Sequence, residues 1–258
     1  MNRKELNKML IRIAWVAALF GAAVLVISAV EKKEASLTNE ILMDIRPLQN
    51  GNKLIDRQDV LTTIDRSFGF KMEGLSLGEV DVARLERILE EDPFILNADV
   101  YVDAKNNINI GIDQREPIIR IIDHNGLNYY LDIEGKKLPL SKHFSARVLV
   151  ATGNIPPYTL SFQKRKKHRL KDLFELSQLI LNDPFLKALV EHVHVTNQGE
   201  YVLIPKIGKQ KIYLGRFSNV PDKLDNLKIF YQEGMTREGW SKYVALDIRY
   251  KGQVVGIK

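Results

Sequence analysis

The 258-residue chain contains no cysteine. Disulfide bonds, thiolate zinc sites and thiol nucleophiles are therefore all excluded. Glycine and proline are sparse as well, with 16 and 9 residues, and no long stretch is dominated by proline, serine or glycine. Extended disorder is consequently not expected, and the length allows a membrane segment with one or two small folded domains.

Most of the sequence also lacks an excess of positive charge, although the net charge is +6. Residues 1–12 carry +3 and residues 164–169 carry +5, which leaves −2 for the remainder. A nucleic-acid-binding face would distribute its basic residues, and no nucleic-acid motif is present, so we expect no nucleic-acid partner. The basic segment 164–169 is either a solvated loop or a contact for anionic lipid, wall polymer or an acidic partner.

One long stretch, residues 13–30, has no charged side chain. With Leu10 and Ile11 it reaches about 20 residues, or roughly 30 Å as a helix, which matches a bilayer core. Basic residues precede it and residues 31–34 are balanced, so the positive-inside rule predicts a cytoplasmic N-terminus. A cleaved signal peptide would have a shorter apolar core and a clean Ala-x-Ala site, and a buried soluble helix is the remaining alternative.

The first folded region has a regular order of patterns. It predicts a strand, two helices and a hairpin of two strands, at residues 41–46, 56–69, 79–91, 98–102 and 108–112. Asp56 is a candidate N-cap for the first helix, and Pro93 ends the second. This order resembles a small POTRA domain, and Pro117 marks its end.

The second half is richer in strand patterns. Strands are predicted at 118–122, 129–133, 147–150, 210–214, 243–250 and 253–257, and helices at 170–181 and 221–231. The first three strands are interpreted as a meander. In the strand 243–250 we expect Val244, Leu246 and Ile248 to close the core, with Tyr250 on the same face and Asp247 and Arg249 on the other.

An Asp-Pro-Phe tripeptide occurs at residues 92–94 and again at 183–185, 91 residues later. Each copy follows a predicted helix and precedes a predicted hairpin. Two helices that need the same stop signal explain this pattern, and so does a structural repeat of the first domain. The sequence leaves both explanations open.

Two other patterns suggest chemistry and are discounted. Residues 74–78 fit the Gly-x-Ser-x-Gly pattern of a hydrolase, but that motif needs a strand directly before it and a helix directly after the serine. His192 and His194 share a face of a predicted strand, but no third metal ligand forms a pattern with them, so a solvated face is expected. We therefore predict no catalytic residue, no metal, no cofactor and no small-molecule substrate.

Several segments together resemble the FtsQ/DivIB family of bacterial cell-division proteins, with a similarity to Bacteroidetes-type members. They are residues 92–102, the Gln-Arg-Glu-Pro at 114–117, residues 130–135 and the Leu-Asp-Ile-Arg-Tyr at 246–250. The resemblance implies an α+β fold with a cytoplasmic tail (1–12), a single transmembrane helix (13–30), a POTRA-like β-α-α-β-β domain (31–117) and a mixed α/β "β domain" with an antiparallel-rich sheet (118–258).

The resemblance further implies a non-enzymatic, bitopic inner-membrane protein at the division septum, with its bulk in the periplasm. Such a protein regulates septal peptidoglycan synthesis by binding FtsB- and FtsL-like partners and the synthase complex. In the family the last strands accept a partner strand, and the matching positions here are Arg249, Tyr250, Val254, Val255 and Ile257. The alternatives are a POTRA-containing, membrane-anchored chaperone or transport component and, with no supported nucleophile, a membrane-tethered hydrolase.

Overall fold

The computed structural model describes residues 3–69, 74–235, 239 and 242–258. Its first element is helix α1 (Arg3–Glu34). Among the described residues, one helical segment is long and apolar enough to cross a membrane: Arg12–Glu34, with a mean hydropathy of 2.5 and no part of it buried. This segment is compatible with a single-pass anchor. The predicted cytoplasmic tail, residues 1–12, begins with two residues that lie outside the described part of the chain.

The first compact unit comprises Met1–Arg46 and Asp56–Asp113. After α1 it contains β1 (Ile41–Ile45), α2 (Arg57–Phe68), α3 (Val82–Glu91), β2 (Ile95–Val102) and β3 (Ile108–Gln114). The strands form a sheet in the order β1-β3-β2, with β1 parallel to β3. The predicted order of strand, two helices and two strands is confirmed.

Capping residues set the helix bounds in this unit. Asp56 accepts a hydrogen bond from the backbone N–H of Asp59 at 2.9 Å, and the Asp59 carboxylate accepts one from the Asp56 N–H at 3.2 Å. This reciprocal capping box begins α2, and Gly69 ends it in the left-handed conformation. The second helix begins three residues later than predicted because Asp81 is its N-cap, and Leu77–Glu79 forms a separate 3-10 turn.

The core of this unit lies between the two helices and one face of the sheet. Strand β3 alternates strictly, with Ile108, Ile110 and Ile112 buried. The helices contribute Leu85 and Leu89, neither of which is exposed, together with Val60 and Ile64. Alternating burial in β3 and the apolar stripe of α3 therefore produce this layer of helices on a sheet.

The second compact unit comprises Pro47–Ile55 and Gln114–Lys258. Its strands are β4 (Pro117–Ile122), β5 (Asn128–Asp132), β6 (Lys137–Leu138), β7 (Leu149–Gly153), β8 (Val190–Val195), β9 (Tyr201–Pro205), β10 (Lys211–Gly215), β11 (Ala245–Asp247) and β12 (Val255–Ile257). Its helices are α4 (Arg169–Asn182), α5 (Pro184–Leu189) and α6 (Val220–Ile229), and a π-helical turn, Phe230–Gly234, follows α6. These strands form one sheet in the order β12-β11-β10-β9-β8-β7-β4-β5-β6.

The predicted meander of β4, β5 and β7 is wrong. Strand β5 pairs antiparallel to β4 as predicted, but β7 lies on the other side of β4 and runs parallel to it. The two-residue strand β6, which the sequence did not predict, takes the place next to β5. Most other pairings are antiparallel, so the mixed, antiparallel-rich sheet is confirmed.

The two Asp-Pro-Phe tripeptides begin different structures. Asp92 ends α3, and β2 follows at once. Asp183 ends α4 and also caps α5, since its carboxylate accepts hydrogen bonds from the N–H groups of Phe185 (2.8 Å) and Leu186 (3.1 Å). The sheets also differ. In the first unit β1, the strand before the helices, pairs with β3, the second strand of the hairpin that follows them. In the second unit β7, the strand before α4, pairs with β8, the first strand of the following hairpin. A topological repeat of the first unit is therefore excluded.

Helices α4, α5 and α6 cover one face of the long sheet, and their apolar side chains form a single core with it. Leu203, Leu246 and Val193 point into this core. Their strand neighbours Val202, Asp247 and His194 point to the opposite face, which carries none of the three helices. We call this second surface the open face.

Candidate partner-binding edge

The C-terminal strand β12 lies at one end of the nine-stranded sheet. It pairs antiparallel with β11, in the register Ala245↔Ile257, Leu246↔Gly256 and Asp247↔Val255. Strand β11 in turn pairs parallel with β10. Strand β12 thus has a strand neighbour on one side only, and its other side is a sheet edge among the described residues.

The side chains of β12 divide between the two faces of the sheet. Val255 and Ile257 lie opposite Asp247 and Ala245, so they occupy the open face, where they are 40% and 39% exposed. Val254, just before the strand, packs against the core from the other face. Val254 therefore fixes the position of the edge, while Val255 and Ile257 present apolar surface to solvent.

Gly256 allows β12 to approach the core closely. A Cβ atom added at this residue would overlap the ring of Tyr243, which itself packs against Phe230 with ring centroids 6.1 Å apart. Tyr243 lies just before β11, so the glycine lets the aromatic ring fill the space beneath the edge strand. The sequence pattern gave no signal for this contact.

Arg249 and Tyr250 lie in the turn between β11 and β12 and not on a strand. The Arg249 guanidinium binds the Asp247 carboxylate through Nε–Oδ1 (2.9 Å) and Nη2–Oδ2 (2.6 Å), and the Arg249 backbone N–H donates to Oδ1 at 3.0 Å. The Arg249 side chain also lies over the Tyr213 ring at 5.8 Å. Arg249 therefore acts as a clamp that closes the turn.

The role of Asp247 as the partner of Arg249 was not predicted from the sequence. It is 4% exposed, and the hydrogen bonds from Arg249 hold the pKa of its carboxyl below the usual range against the opposing effect of burial. Lys223 of α6 lowers this pKa further through its charge, and its Nζ donates to the carbonyl oxygens of Leu214 (2.9 Å) and Arg216 (3.1 Å). The Asp-x-Arg spacing at 247–249 was the available signal, since an aspartate at the start of a turn often accepts hydrogen bonds from the residue two positions on.

Burial in the terminal strand differs from the predicted alternation. Leu246 and Ile248 are buried as predicted, but Val244 is 61% exposed and Ala245 and Asp247 are buried. Strand β11 has strands on both sides, and four consecutive residues, 245–248, are buried. Tyr250 is 52% exposed on the turn. Of the five predicted site residues, the structure thus places Val255 and Ile257 on the edge and Tyr250 beside it, while Val254 and Arg249 contact the protein itself.

The two discounted patterns lie elsewhere. The Gly-x-Ser-x-Gly segment, 74–78, forms a turn that runs into the 3-10 helix, and residues 70–73 before it lie outside the described residues. His192 and His194 flank a single hydroxyl, with Thr152 Oγ1 at 2.8 Å from His192 Nε2 and 3.2 Å from His194 Nδ1. Partial burial lowers the pKa of His192. Both histidines lie on the open face, where the hydroxyl of Thr152 orients their rings.

Comparison with known proteins places both units in described families. Residues 27–113 match the POTRA-like domain. Residues 116–257 match the domain described as FtsQ/DivIB, C-terminal related. A comparison with curated proteins finds no match. The second of these domains covers more than half of the chain, and the chain therefore belongs to the FtsQ/DivIB family of cell-division proteins.

Proposed function

We propose that this cell-division protein is a bitopic scaffold of the inner membrane that acts by binding other proteins. In this proposal residues 1–12 are the cytoplasmic tail, 13–30 the transmembrane helix, and 31–117 and 118–258 the two periplasmic domains. The protein recruits and regulates septal peptidoglycan synthesis by capturing FtsB- and FtsL-like partners and through them the synthase complex. The observation that carries the proposal is the edge strand β12, which has a strand neighbour on one side only in the part of the chain that the structure describes.

An extended partner segment adds to this edge as a further strand. Backbone hydrogen bonds supply affinity that is independent of sequence, and side chains at alternate positions supply specificity. Val255 and Ile257 offer two apolar contacts on the open face, and Tyr250 offers a third at the turn. Because the Arg249–Asp247 clamp and Gly256 hold the edge in place, the partner does not have to order it on binding.

The N-terminal helix supports the membrane part of the proposal. Its apolar side chains, such as Leu19 (68% exposed) and Phe20 (72% exposed), contact nothing that covers them within the described residues. A row of uncovered large apolar side chains of this length is stable in lipid. FtsQ/DivIB and POTRA-like domains are scaffold-type domains, which supports a role in binding.

Localisation in dividing cells tests the proposal. A fluorescent fusion of the full chain is expected to form a ring at midcell in cells depleted of the untagged protein. Uniform signal around the envelope during constriction would contradict a role at the septum.

An edge variant tests how the protein acts. Ile257→Glu places a charge in the proposed contact and is expected to abolish capture of FtsB-like partners while the fusion stays in the membrane. Leu127→Glu is the matched control, because Leu127 is also an exposed apolar residue, at 52%, but lies in the turn between β4 and β5 near the other end of the sheet. Equal partner capture by the Ile257 variant and wild type would remove β12 from the mechanism.

A further inference from the structure

The segment between β7 and α4, residues 154–168, combines strong positive charge with an uncovered apolar side chain. We call it the basic loop. Leu160 is 91% exposed, the most exposed large apolar residue among those the structure describes. Four consecutive cationic residues follow shortly after it, Lys164, Arg165, Lys166 and Lys167, and all four are exposed. Within the described residues, none of these four forms an ion pair within 4.0 Å.

The basic loop is held firmly by its own buried residues. Phe162 is 1% exposed and packs edge-on against Phe174 of α4, with ring centroids 5.8 Å apart, and against Tyr158 at 5.7 Å. Gln163 Nε2 donates to the carbonyl oxygen of Glu134 at 2.6 Å. His168 at the end of the loop is also buried. These contacts fix the loop on both sides of the exposed residues, so Leu160 and the cationic run are displayed by a defined backbone.

Two acidic residues beside the loop, Glu134 and Asp172, each have a side-chain partner outside it. Glu134 pairs with Arg115 at 2.8 Å, and Asp172 accepts a hydrogen bond from the Tyr201 hydroxyl at 2.7 Å. Among the described residues the four cations thus have no direct carboxylate partner, and Arg165 lowers the pKa of His168 through its charge, after the larger effect of burial. An anionic surface outside the protein is the complementary partner.

We infer that the basic loop docks on an anionic phospholipid bilayer, with Leu160 in the interfacial layer and the four cations on the headgroups. A bilayer offers both an apolar layer for Leu160 and anionic headgroups for the four cations. A wall glycan offers no apolar layer for Leu160. The inference rests on the proposed function, since α1 holds the same polypeptide at a bilayer and so raises the local concentration of lipid around the loop. Docking would add a second membrane contact to the anchor.

The absence of cysteine makes the test direct. A Ser161→Cys variant of the full chain, labelled with an environment-sensitive fluorophore, is reconstituted in vesicles that contain spin-labelled lipid. Strong quenching is expected when the vesicles contain phosphatidylglycerol, and little when they contain only phosphatidylcholine. A Gln253→Cys label at an exposed position just before β12, at the end of the sheet away from β5, is the positional control and should remain unquenched in both.

Charge variants define the contribution of the loop. Each Lys→Gln change at 166 or 167 should lower the ratio of docked to free loop about fivefold, and high salt should abolish docking. Lys209→Gln with Lys211→Gln, two exposed lysines elsewhere in the same unit, should leave the ratio unchanged. Leu160→Ser should weaken docking without altering the salt dependence.

Three results would overturn the inference. The first is an unquenched Ser161 label in anionic vesicles with which the protein co-floats. The second is equal quenching in zwitterionic vesicles. The third is an equal emission shift caused by soluble polyglutamate, which would assign the loop to an acidic peptide. A chain that fails to co-float with vesicles would instead refute the membrane anchor. Failure of the proposed function is thereby distinguished from failure of loop docking.

Discussion

Removal of the Arg249 guanidinium should loosen the turn that leads into β12, the proposed partner-binding edge. In Arg249→Ala the buried Asp247 loses the charge-assisted hydrogen bonds from Nη2 (2.6 Å) and from Nε, which is shared between both carboxylate oxygens (2.9 and 3.1 Å), and keeps the backbone N–H of residue 249 at 3.0 Å. Bonds to charged groups contribute about 1.5–3 kcal/mol each when buried. The Arg249 side chain is 42% exposed, so water replaces part of this contribution, and we expect a loss of about 1–2 kcal/mol.

Thermal unfolding of the full chain in detergent measures this loss. A decrease of about 2–8 °C is expected in the midpoint of the C-terminal unit. Arg249→Lys keeps the charge but not the two-pronged geometry, and should recover only part of the loss. Tyr250→Ala is the adjacent control, because an exposed side chain changes stability by about 0.5 kcal/mol or less. The same Tyr250 variant should weaken capture of an FtsB-like partner about 5–30-fold.

The pH dependence gives a second test of the clamp. Because the folded pKa of Asp247 lies below its unfolded value of about 3.9, the clamp stabilises the protein above that pH. Its contribution is lost as the pH falls through the folded pKa. The difference between wild type and Arg249→Ala should therefore be full at pH 7 and shrink below about pH 4. An unchanged midpoint for Arg249→Ala, or a difference that persists at low pH, would refute the clamp.

Three further substitutions test other parts of the structure. Gly256→Val should displace the Tyr243 ring and lower the free energy of unfolding, measured with denaturant, by about 1–3 kcal/mol. It should also reduce partner capture, and normal capture would show that the close approach of β12 is dispensable. Gly153→Ala should destabilise the C-terminal unit by at least about 2 kcal/mol, because Gly153 has φ +100° and an added Cβ would overlap the carbonyl oxygen of Val195. A soluble, fully stable variant would contradict this backbone geometry. Leu89→Ala removes a fully buried side chain of α3 and should destabilise the POTRA-like unit by about 2–5 kcal/mol. Limited proteolysis measures this loss, and resistance of that unit equal to wild type would contradict it.

Local chemistry made the first unit predictable from sequence. Asp56 and Gly69 bound α2 because capping depends on residues close in the chain, and β3 alternates because one face of its sheet meets the helices. The start of α3 was misplaced because Leu77–Glu79 forms a 3-10 turn within the same apolar pattern. The membrane segment was predicted from length and composition alone, and the helical segment Arg12–Glu34 is compatible with it.

Long-range pairing explains what the sequence did not reveal. The parallel neighbours β4, β7 and β8 are brought together by crossovers, and no local pattern encodes which strands become adjacent. The alternation expected around Leu246 failed because β11 is interior to the sheet, with strands on both sides, and residues 245–248 are all buried. Asp247 was placed on the face opposite the core, and its burial as the acceptor of the Arg249 clamp was not predicted.

Hydrogen exchange of the full chain with and without an FtsB-like partner tests the central claim most directly. Backbone amides alternate along β12 between those that point to β11 and those that point away from it. Strand addition should slow deuterium uptake at the outward-pointing amides of residues 255–257 when the partner binds, while the two-residue strand β6 at the opposite end is unaffected. Unchanged uptake at 255–257 in a complex that has formed, with protection at another surface, would contradict the account.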